Sequence, residues 1–112
     1  MYEVDFVEFP STSSAASGRF FEHAFGWAVT PYGPEYADVR AAGITFGFQA
    51  DTAAQAPAPL VTIRTDDLAA ARTAVEAAGG VVTVEPFGFP GGRRFHFREP
   101  GGSELALWCP AE

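Results

Sequence analysis

Two side chains in this sequence could carry acid–base chemistry near neutral pH, the imidazole of His96 and the carboxylate of Glu8. Histidine titrates in the physiological range, and a neighbouring carboxylate can orient it or act beside it. We therefore predict His96 and Glu8 as candidate catalytic residues. The alternative is that His96 is only hydrogen-bonded within a sheet. The second histidine, His23, falls on the polar side of a predicted helix, where we expect it to be solvated.

All seven basic residues are arginines, because the chain contains no lysine. Neither a Schiff base nor a phosphate-loop lysine can form, which excludes pyridoxal enzymes and P-loop nucleotide hydrolases. Arg93 and Arg94 could hold a carboxylate or phosphate of a ligand. Pairing with neighbouring glutamates such as Glu104 is the alternative. The single cysteine, Cys109, cannot supply an intrachain disulfide or a multi-thiolate metal site.

The formal net charge is -7, with fourteen acidic against seven basic residues. This charge repels phosphate backbones and anionic lipid surfaces, so we expect neither nucleic acid nor membrane as a partner. No apolar run approaches the roughly 20 residues of a membrane span, and the acidic, alternating N-terminus is unlike a signal peptide. We predict a cytoplasmic location, and the alanine-rich, lysine-free composition is typical of GC-rich bacteria.

The elements that would position these groups occur twice in the same order. The first set is a strand at 4–9, a helix from Ser14 to Phe25 ended by Gly26, and extended segments at 27–32, 36–40 and 44–49. After an alanine- and proline-rich stretch, the second set is a strand at 60–65, a helix capped by Asp66 or Asp67 and closed by Gly79-Gly80, and strands at 81–84, 93–98 and 104–109. We predict one domain over 1–112, with a first module at 1–50, a linker at 51–59 and a second module at 60–110.

Each predicted helix has an apolar face that should pack on the sheet. For the first helix this face is Ala16, Phe20, Phe21, Ala24 and Phe25. For the second helix it is Leu68, Ala71, Ala74, Val75 and Ala78. Phe25 and Trp27 are predicted core or dimer contacts. Tyr32, Tyr36 and the loop 88–91 are predicted to lie at the rim of a binding site.

Strand alternation sends the remaining side chains to the face that does not carry the helices. If Val61, Ile63, Leu105, Leu107, Phe95 and Phe97 pack on the helices, their neighbours face the other way. The predicted ligand-binding residues on that face are Phe6, Gln49, Leu60, Thr62, Arg64, Arg94, Glu104 and Trp108. Polar groups among aromatic side chains are what a pocket for an organic ligand needs. A half-solvated sheet face with ordinary polarity is the alternative.

Four segments, in this order, resemble the glyoxalase, bleomycin-resistance and extradiol-dioxygenase superfamily, also called vicinal oxygen chelate proteins. They are Phe20–Trp27, Thr65–Ala71, Ala77–Gly80 and Phe95–Trp108. The resemblance implies an α+β fold in which two βαβββ modules form a curled eight-stranded mixed sheet, with helices on the convex face and a cleft on the concave face. It also implies a homodimer. It specifies no reaction.

Enzymes of this superfamily commonly bind a divalent metal through His, Glu or Gln on the first and last strand of each module. Aligning the motifs puts those positions at Phe6, Gly47, Leu60 and Ala106, and none of these side chains can coordinate a metal. The resemblance with this departure predicts a protein that needs neither metal nor other cofactor.

The predicted ligand is a small organic molecule with an anionic or an aromatic group. Whether the protein is an enzyme is open at this point. One alternative is a metal-independent isomerase or lyase that uses His96 with Glu8. Another is a metal-dependent enzyme, similar to lactoylglutathione lyase or to a dioxygenase, with unorthodox ligands.

Overall fold

The computed structural model describes residues 1–111, which form an α+β fold with eight strands in a mixed sheet and two helices. The strands are β1 Tyr2–Pro10, β2 Ala28–Pro31, β3 Tyr36–Ala41, β4 Ile44–Gln49, β5 Leu60–Thr65, β6 Val81–Phe89, β7 Gly92–Arg98 and β8 Glu104–Pro110. The helices are α1 Ser14–Phe25 and α2 Leu68–Ala77. Neither helix in this part of the chain is long and apolar enough to cross a membrane.

The chain divides into two compact units of the same topology. The first unit is Asp5–Leu60, and the second is Met1–Val4 together with the chain from Val61 onward. In the first unit the strand order is β2-β3-β4-β1, with β1 parallel to β4 and the other pairs antiparallel. In the second unit the order is β6-β7-β8-β5, with β5 parallel to β8. The predicted repeat of βαβββ modules is confirmed.

Helix α1 begins and ends where the sequence predicts. The side chain of Ser13 accepts the backbone N–H of Ala16 at 3.2 Å, which caps the first turn. At the other end Gly26 adopts a left-handed conformation with φ of 73°, and its N–H donates to the carbonyl of Glu22 at 2.8 Å. Glycine adopts this conformation without steric cost, so the chain can leave the helix there.

The buried face of α1 differs from the prediction. Four of the five predicted core residues are exposed, namely Ala16, Phe20, Ala24 and Phe25. Ser14 and Gly18 are buried instead. A Cβ atom on Gly18 would lie only 2.8 Å from a methyl carbon of Val29 on β2. The small residues let the helix approach the strand closely, and this close approach selects the buried face.

Aromatic rings fill the space between α1 and the first unit's strands. Phe21 stacks on Trp27 at 6.1 Å and on Phe48 at 5.3 Å between ring centroids. Phe9 meets Phe46 edge-on at 5.2 Å. Offset and edge-on contacts at these distances are the favoured geometries of aromatic pairs. Trp27 therefore contributes to this ring cluster as a half-buried residue.

In the second unit α2 packs on the face that strand alternation predicts. Asp67 caps the helix by accepting the N–H of Ala70 at 3.0 Å. The core cluster is Ala71, Phe95, Phe97 and Leu107, with Ile63, Leu68, Val75, Val82 and Leu105 packed against it. Ala74 and Ala78, also predicted for the inner face, are exposed.

Strand β6 is longer than predicted, and the expected loop at 88–91 is shorter. The strand continues through Pro86 to Phe89, and its pairing with β7 shifts register between Val82 and Val84 and again between Val84 and Phe87. Proline lacks an N–H donor, and strands tolerate it at edges and bulges. The second irregularity accommodates Pro86, so the strand does not end at Val84.

Candidate functional site

The face of the first unit opposite α1 holds a buried carboxylate. Glu8 on β1 lies beside Gly47 on β4, and its side chain accepts a hydrogen bond from the hydroxyl of Tyr36 at 2.9 Å. Glu8 is only 4% exposed. The phenol of Tyr36, a residue predicted at the rim of a binding site, fixes one oxygen of this carboxylate.

Aromatic side chains occupy the space around Gly47. A Cβ atom at this position would overlap the hydroxyl of Tyr36 and would lie 2.5 Å from Cζ of the Phe6 ring. No side chain larger than hydrogen can be accommodated without movement of these two groups. Gly47 is one of the positions where the family resemblance places a metal ligand, and here the ring of Phe6 takes up that volume.

Gln49 at the end of β4 is tied to the segment that follows it. Its side-chain oxygen accepts the N–H of Asp51 at 3.0 Å, and the amide of Gln55 donates to the Gln49 carbonyl at 2.9 Å and to the Ser11 carbonyl at 3.4 Å. The side-chain oxygen of Gln49 is therefore already hydrogen-bonded to the backbone. The predicted role of Gln49 in ligand binding would depend on its side-chain amide nitrogen.

In the second unit a row of residues crosses the sheet face opposite α2. Arg64, Trp108, Arg94 and Phe87 are successive neighbours on β5, β8, β7 and β6. The guanidinium of Arg64 lies over the indole of Trp108 at 5.6 Å. The guanidinium of Arg94 lies over Phe87 at 5.3 Å and over Phe89 at 5.8 Å. We call these five residues the arginine-aromatic array.

The array combines charge with apolar surface. Guanidinium groups within about 6 Å of an aromatic centroid are attracted to the ring face. The rings of Phe89 and Trp108 lie 6.3 Å apart and link the two arginine–ring pairs. Arg64 is exposed, and the other four members are half-buried. The result is a partly exposed, cationic and aromatic surface.

The next row across the same face is buried. Thr62, Ala106 and His96 are neighbours on β5, β8 and β7, and they are 3%, 0% and 7% exposed. Nδ1 of His96 lies 3.7 Å from Oε2 of Glu104. The same oxygen accepts the hydroxyl of Thr83 at 2.6 Å. Glu104 is thus oriented beside the imidazole and forms an ion pair when His96 is protonated.

The structure places the two predicted catalytic residues in different units. Within the second unit His96 lies beside Glu104, and within the first unit Glu8 accepts a hydrogen bond from the hydroxyl of Tyr36. Leu60, predicted to bind ligand, is 1% exposed.

Two residues of the candidate site, Thr83 and Phe87, were missed by the sequence analysis. Tyr36 and Phe89 were predicted at the rim of a binding site, Phe89 within the loop 88–91, but their contacts with Glu8 and Arg94 were not predicted. Phe87 and Phe89 are two residues apart, which is the spacing of side chains on one face of a strand. This spacing could have identified Phe87 as a site residue.

The donor set does not match the metal site of the superfamily. Phe6, Gly47, Leu60 and Ala106 offer no coordinating side-chain atom. Within residues 1–111 no group of three or more His, Cys, Asp or Glu side chains is arranged to hold a metal ion. The geometry therefore supports no chemical step through a metal at these positions.

The sequence of residues 4–107 matches the family model described as Glyoxalase/Bleomycin resistance protein/Dioxygenase superfamily. The chain belongs to this superfamily. It lacks the side chains with which superfamily enzymes commonly bind a metal, in agreement with the sequence analysis. No curated protein matches the chain by sequence.

Solved structures with the same fold include a hypothetical protein from Bacillus halodurans C-125, at 12% identity and a TM-score of 0.81 over 99% of this chain and 96% of that one. Methylmalonyl-CoA epimerase from Mycobacterium tuberculosis has 15% identity and a TM-score of 0.76 over 98% and 89% of the two chains. The Mn(II)-bound glyoxalase from Novosphingobium aromaticivorans has 21% identity and a TM-score of 0.70 over 96% of this chain and 38% of that chain. At these identities the similarity shows the fold alone.

Proposed function

We propose that this superfamily member binds a small organic molecule at the arginine-aromatic array without the help of a metal ion. The observation that carries the proposal is the position of two guanidinium groups over aromatic rings on one partly exposed sheet face. Such a surface offers an anionic group a charge and offers an apolar group a ring face. A binding or sequestering role of the bleomycin-resistance type needs no further chemistry.

The proposal of metal independence has separate support. The four positions where related enzymes commonly carry metal ligands hold Phe6, Gly47, Leu60 and Ala106, and the ring of Phe6 lies where a side chain at Gly47 would project. Elemental analysis of the purified protein tests the proposal. A stoichiometric divalent ion would contradict it and would favour the metal-dependent alternative, an enzyme similar to lactoylglutathione lyase or to a dioxygenase.

A thermal-shift screen of organic compounds in the presence of EDTA tests binding. We expect compounds that raise the melting temperature of the native chain and lose their effect in Phe89→Leu, which removes a ring and keeps an apolar side chain. Phe20→Leu is the matched control, since Phe20 is an exposed ring on α1 and is not a member of the array. Equal loss in both variants, or no stabilising compound at all, would overturn the proposal.

A second candidate function is proton transfer on the bound molecule, as in a metal-independent isomerase or lyase. It is supported by the carboxylate of Glu104 beside His96, since an oriented histidine is the usual general acid or base. Glu8 is the other candidate carboxylate for this chemistry. Uptake of solvent deuterium into a bound compound would reveal it. We expect His96→Ala to stop the exchange while binding persists; exchange that continues in this variant would exclude His96.

We further propose that the chain forms a homodimer in the cytoplasm of a bacterium. The outer strands β2 and β6 leave backbone groups at the edge of each unit, and association of two chains is one way to cover such edges. Light scattering of the purified chain over a range of concentrations measures its mass. A monomeric mass at every concentration would contradict the dimer.

A further inference from the structure

The first unit contains a groove that neither the arginine-aromatic array nor the buried Glu8 carboxylate uses. The groove lies between α1 and the hairpin of β2 and β3, and its volume is about 230 Å³. We infer that this groove binds an aliphatic α-amino acid. The inference does not depend on the array, because every residue that lines the groove belongs to the first unit.

The base of the groove is formed by its most buried lining residues. Ser14 is 3% exposed, and its hydroxyl donates to the carbonyl of Pro34 at 3.3 Å, which connects α1 to the hairpin turn. Ala37 on β3 is 2% exposed. Gly18 lets the helix approach Val29 on β2 closely, which holds helix and strand together beside the groove. The groove is therefore formed before a ligand binds, so that binding does not carry the cost of ordering it.

The walls of the groove are aliphatic. They are formed by Ala15 of α1, by Val29 and Pro31 of β2 and by Pro34 of the turn. An aliphatic side chain that leaves water for such walls gains free energy from burial of its apolar surface. Pockets for drug-sized ligands have volumes of roughly 300–1,000 Å³, so this groove fits a smaller molecule. A water molecule takes up about 30 Å³ of liquid, and the groove has room for about seven.

Two opposite charges lie at the edge of the groove. Arg19 and Glu22 both line it, and residues three apart on a helix have Cβ atoms about 5–6 Å from each other. Within residues 1–111 these two exposed side chains form no ion pair with one another. Glu22 lies 4.0 Å from the exposed imidazole of His23. An α-amino acid carries a carboxylate for Arg19 and an ammonium group for Glu22 on a single carbon, so its charges complement this pair.

The same groove is poorly suited to a peptide. Strand β2 is the outer strand of the unit, but it has four residues and ends at Pro31, which lacks an N–H donor. Short edge strands that contain proline resist the addition of another strand. Within a peptide the α-amino and α-carboxyl groups of a residue are also uncharged amides. The two charges at the groove therefore favour the free amino acid.

Titration followed by ¹H–¹⁵N NMR spectra tests the inference with three probes that share one aliphatic side chain. L-leucine has both charges, 4-methylpentanoate lacks the ammonium group, and 3-methylbutylammonium lacks the carboxylate. We expect L-leucine at millimolar concentration to shift the amide signals of Ala15, Val29 and Ala37. We expect it to bind about two- to fivefold more tightly than either other probe, the ratio for one exposed ion pair. No shift of these signals, or equal affinity for the three probes, would overturn the inference.

Two charge variants assign the ends of the ligand. In Arg19→Gln we expect L-leucine to bind as weakly as 3-methylbutylammonium binds the native chain, and in Glu22→Gln as weakly as 4-methylpentanoate does. Arg40→Gln is the matched control for the arginine, and it should leave the affinity unchanged. Arg40 is exposed and lies three residues after Ala37 on β3, so its side chain is on the opposite sheet face. Equal loss in Arg19→Gln and Arg40→Gln would overturn the role of Arg19.

A third pair of variants tests the groove without a change of charge. We expect Ala15→Leu to fill the groove and abolish binding of L-leucine. Ala16→Leu is the control, since Ala16 is also exposed on α1 but does not line the groove. Unchanged binding in Ala15→Leu, or equal loss in both variants, would overturn the inference. If these tests fail while the EDTA screen finds ligands that depend on Phe89, the inference is wrong and the proposed function stands.

Discussion

Gly47 lies beside Glu8 on parallel strands, with the ring of Phe6 and the hydroxyl of Tyr36 in the space that a side chain would need. Both groups fill the volume of the superfamily's metal ligand, and the Tyr36 hydroxyl also donates a hydrogen bond to the Glu8 carboxylate. A glycine here is therefore required by its neighbours, since its contacts leave no room for a methyl group. Tyr36 thus both fills the position and fixes a buried carboxylate.

We expect Gly47→Ala to lower the free energy of unfolding by about 1–3 kcal/mol, the usual cost of overpacking a filled site. The smaller entropic gain from replacing a strand glycine does not offset this loss. Urea unfolding measures the change. Gly88→Ala is the control, because the nearest atom to its Cβ is a carbonyl oxygen at 4.0 Å. Equal effects of the two substitutions would contradict the packing around Gly47.

Glu99 in the β7–β8 turn gives a prediction on pH. Its carboxylate accepts the N–H groups of Ser103 and Gly101, both at 2.7 Å, and these bonds lower the pKa of Glu99 below its ordinary value of 4.5. A lowered folded-state pKa contributes stability above the ordinary value, and this contribution is lost as the pH falls through the lowered one. We expect Glu99→Gln to reduce the melting temperature at pH 7 by a few degrees and to have little effect below the folded-state pKa.

Melting temperatures of native chain and variant between pH 2.5 and 7 measure this difference, with about half-unit steps sufficient to locate it. Glu35→Gln is the control, since Glu35 is an exposed carboxylate in the first unit. A constant difference between Glu99→Gln and the native chain across the range would show that the charge of Glu99 contributes nothing.

At the scale of the elements, the contact between α1 and β2 depends on a glycine within a helix. Alanine at position 18 favours the helix by about 1 kcal/mol. Its methyl group would lie 2.8 Å from Cγ1 of Val29, a branched side chain with little rotamer freedom. We expect the clash to prevail, so that Gly18→Ala destabilises the native chain by about 1 kcal/mol net.

The effect of Gly18→Ala on the free energy of unfolding should change sign once the clash is removed. In a Val29→Ala background we expect Gly18→Ala to stabilise the chain by about 1 kcal/mol, the helix propensity alone. A double-mutant cycle by urea unfolding measures the coupling. The same effect in both backgrounds would exclude Val29 as the reason for Gly18.

The boundaries of α1 were predictable because local chemistry determines them, through a serine cap and a left-handed glycine. The buried face of α1 was not predictable from the sequence, because an apolar pattern is determined by the three phenylalanines of the helix and a glycine contributes almost nothing to it. The close packing of Gly18 on Val29 appears only when helix and strand are assembled. Which residues of this helix are buried depends on how closely the helix can approach the strand, whereas the sequence pattern indicates only hydrophobicity.

Part of the candidate site was predictable for a similar reason. Arg64, Arg94 and Trp108 share one face because β5, β7 and β8 are regular, so alternation holds along each of them. Their role in ligand binding is still a prediction. Phe87 was missed, and Phe89 was assigned to a loop, because Pro86 masks the continuation of β6. The position of Glu104 beside His96 depends on the register of three strands.

At the scale of the whole molecule, the net charge and the charge of the arginine-aromatic array have opposite signs. The chain carries a formal charge of -7, which opposes the approach of any polyanion. Two of its seven arginines, Arg64 and Arg94, nevertheless belong to the array on one sheet face. A small acid contacts only its immediate surroundings once it is bound, whereas a nucleic acid would also contact the acidic remainder. The acidic composition is thus compatible with a small anionic ligand.

The first residues of the chain belong with the second unit, although they precede the first. Met1–Val4 groups with the chain from Val61 onward, and Met1 and Glu3 line a cavity of about 160 Å³ with Arg64 and Asp66. We expect deletion of residues 1–4 to speed amide hydrogen exchange in β5 and to leave β3, in the first unit, as slow as before. Exchange measured by mass spectrometry on peptides from both strands reports each unit separately, and β3 is the internal control. Equal acceleration in the two strands, or none in β5, would contradict the assignment of the N-terminus to the second unit.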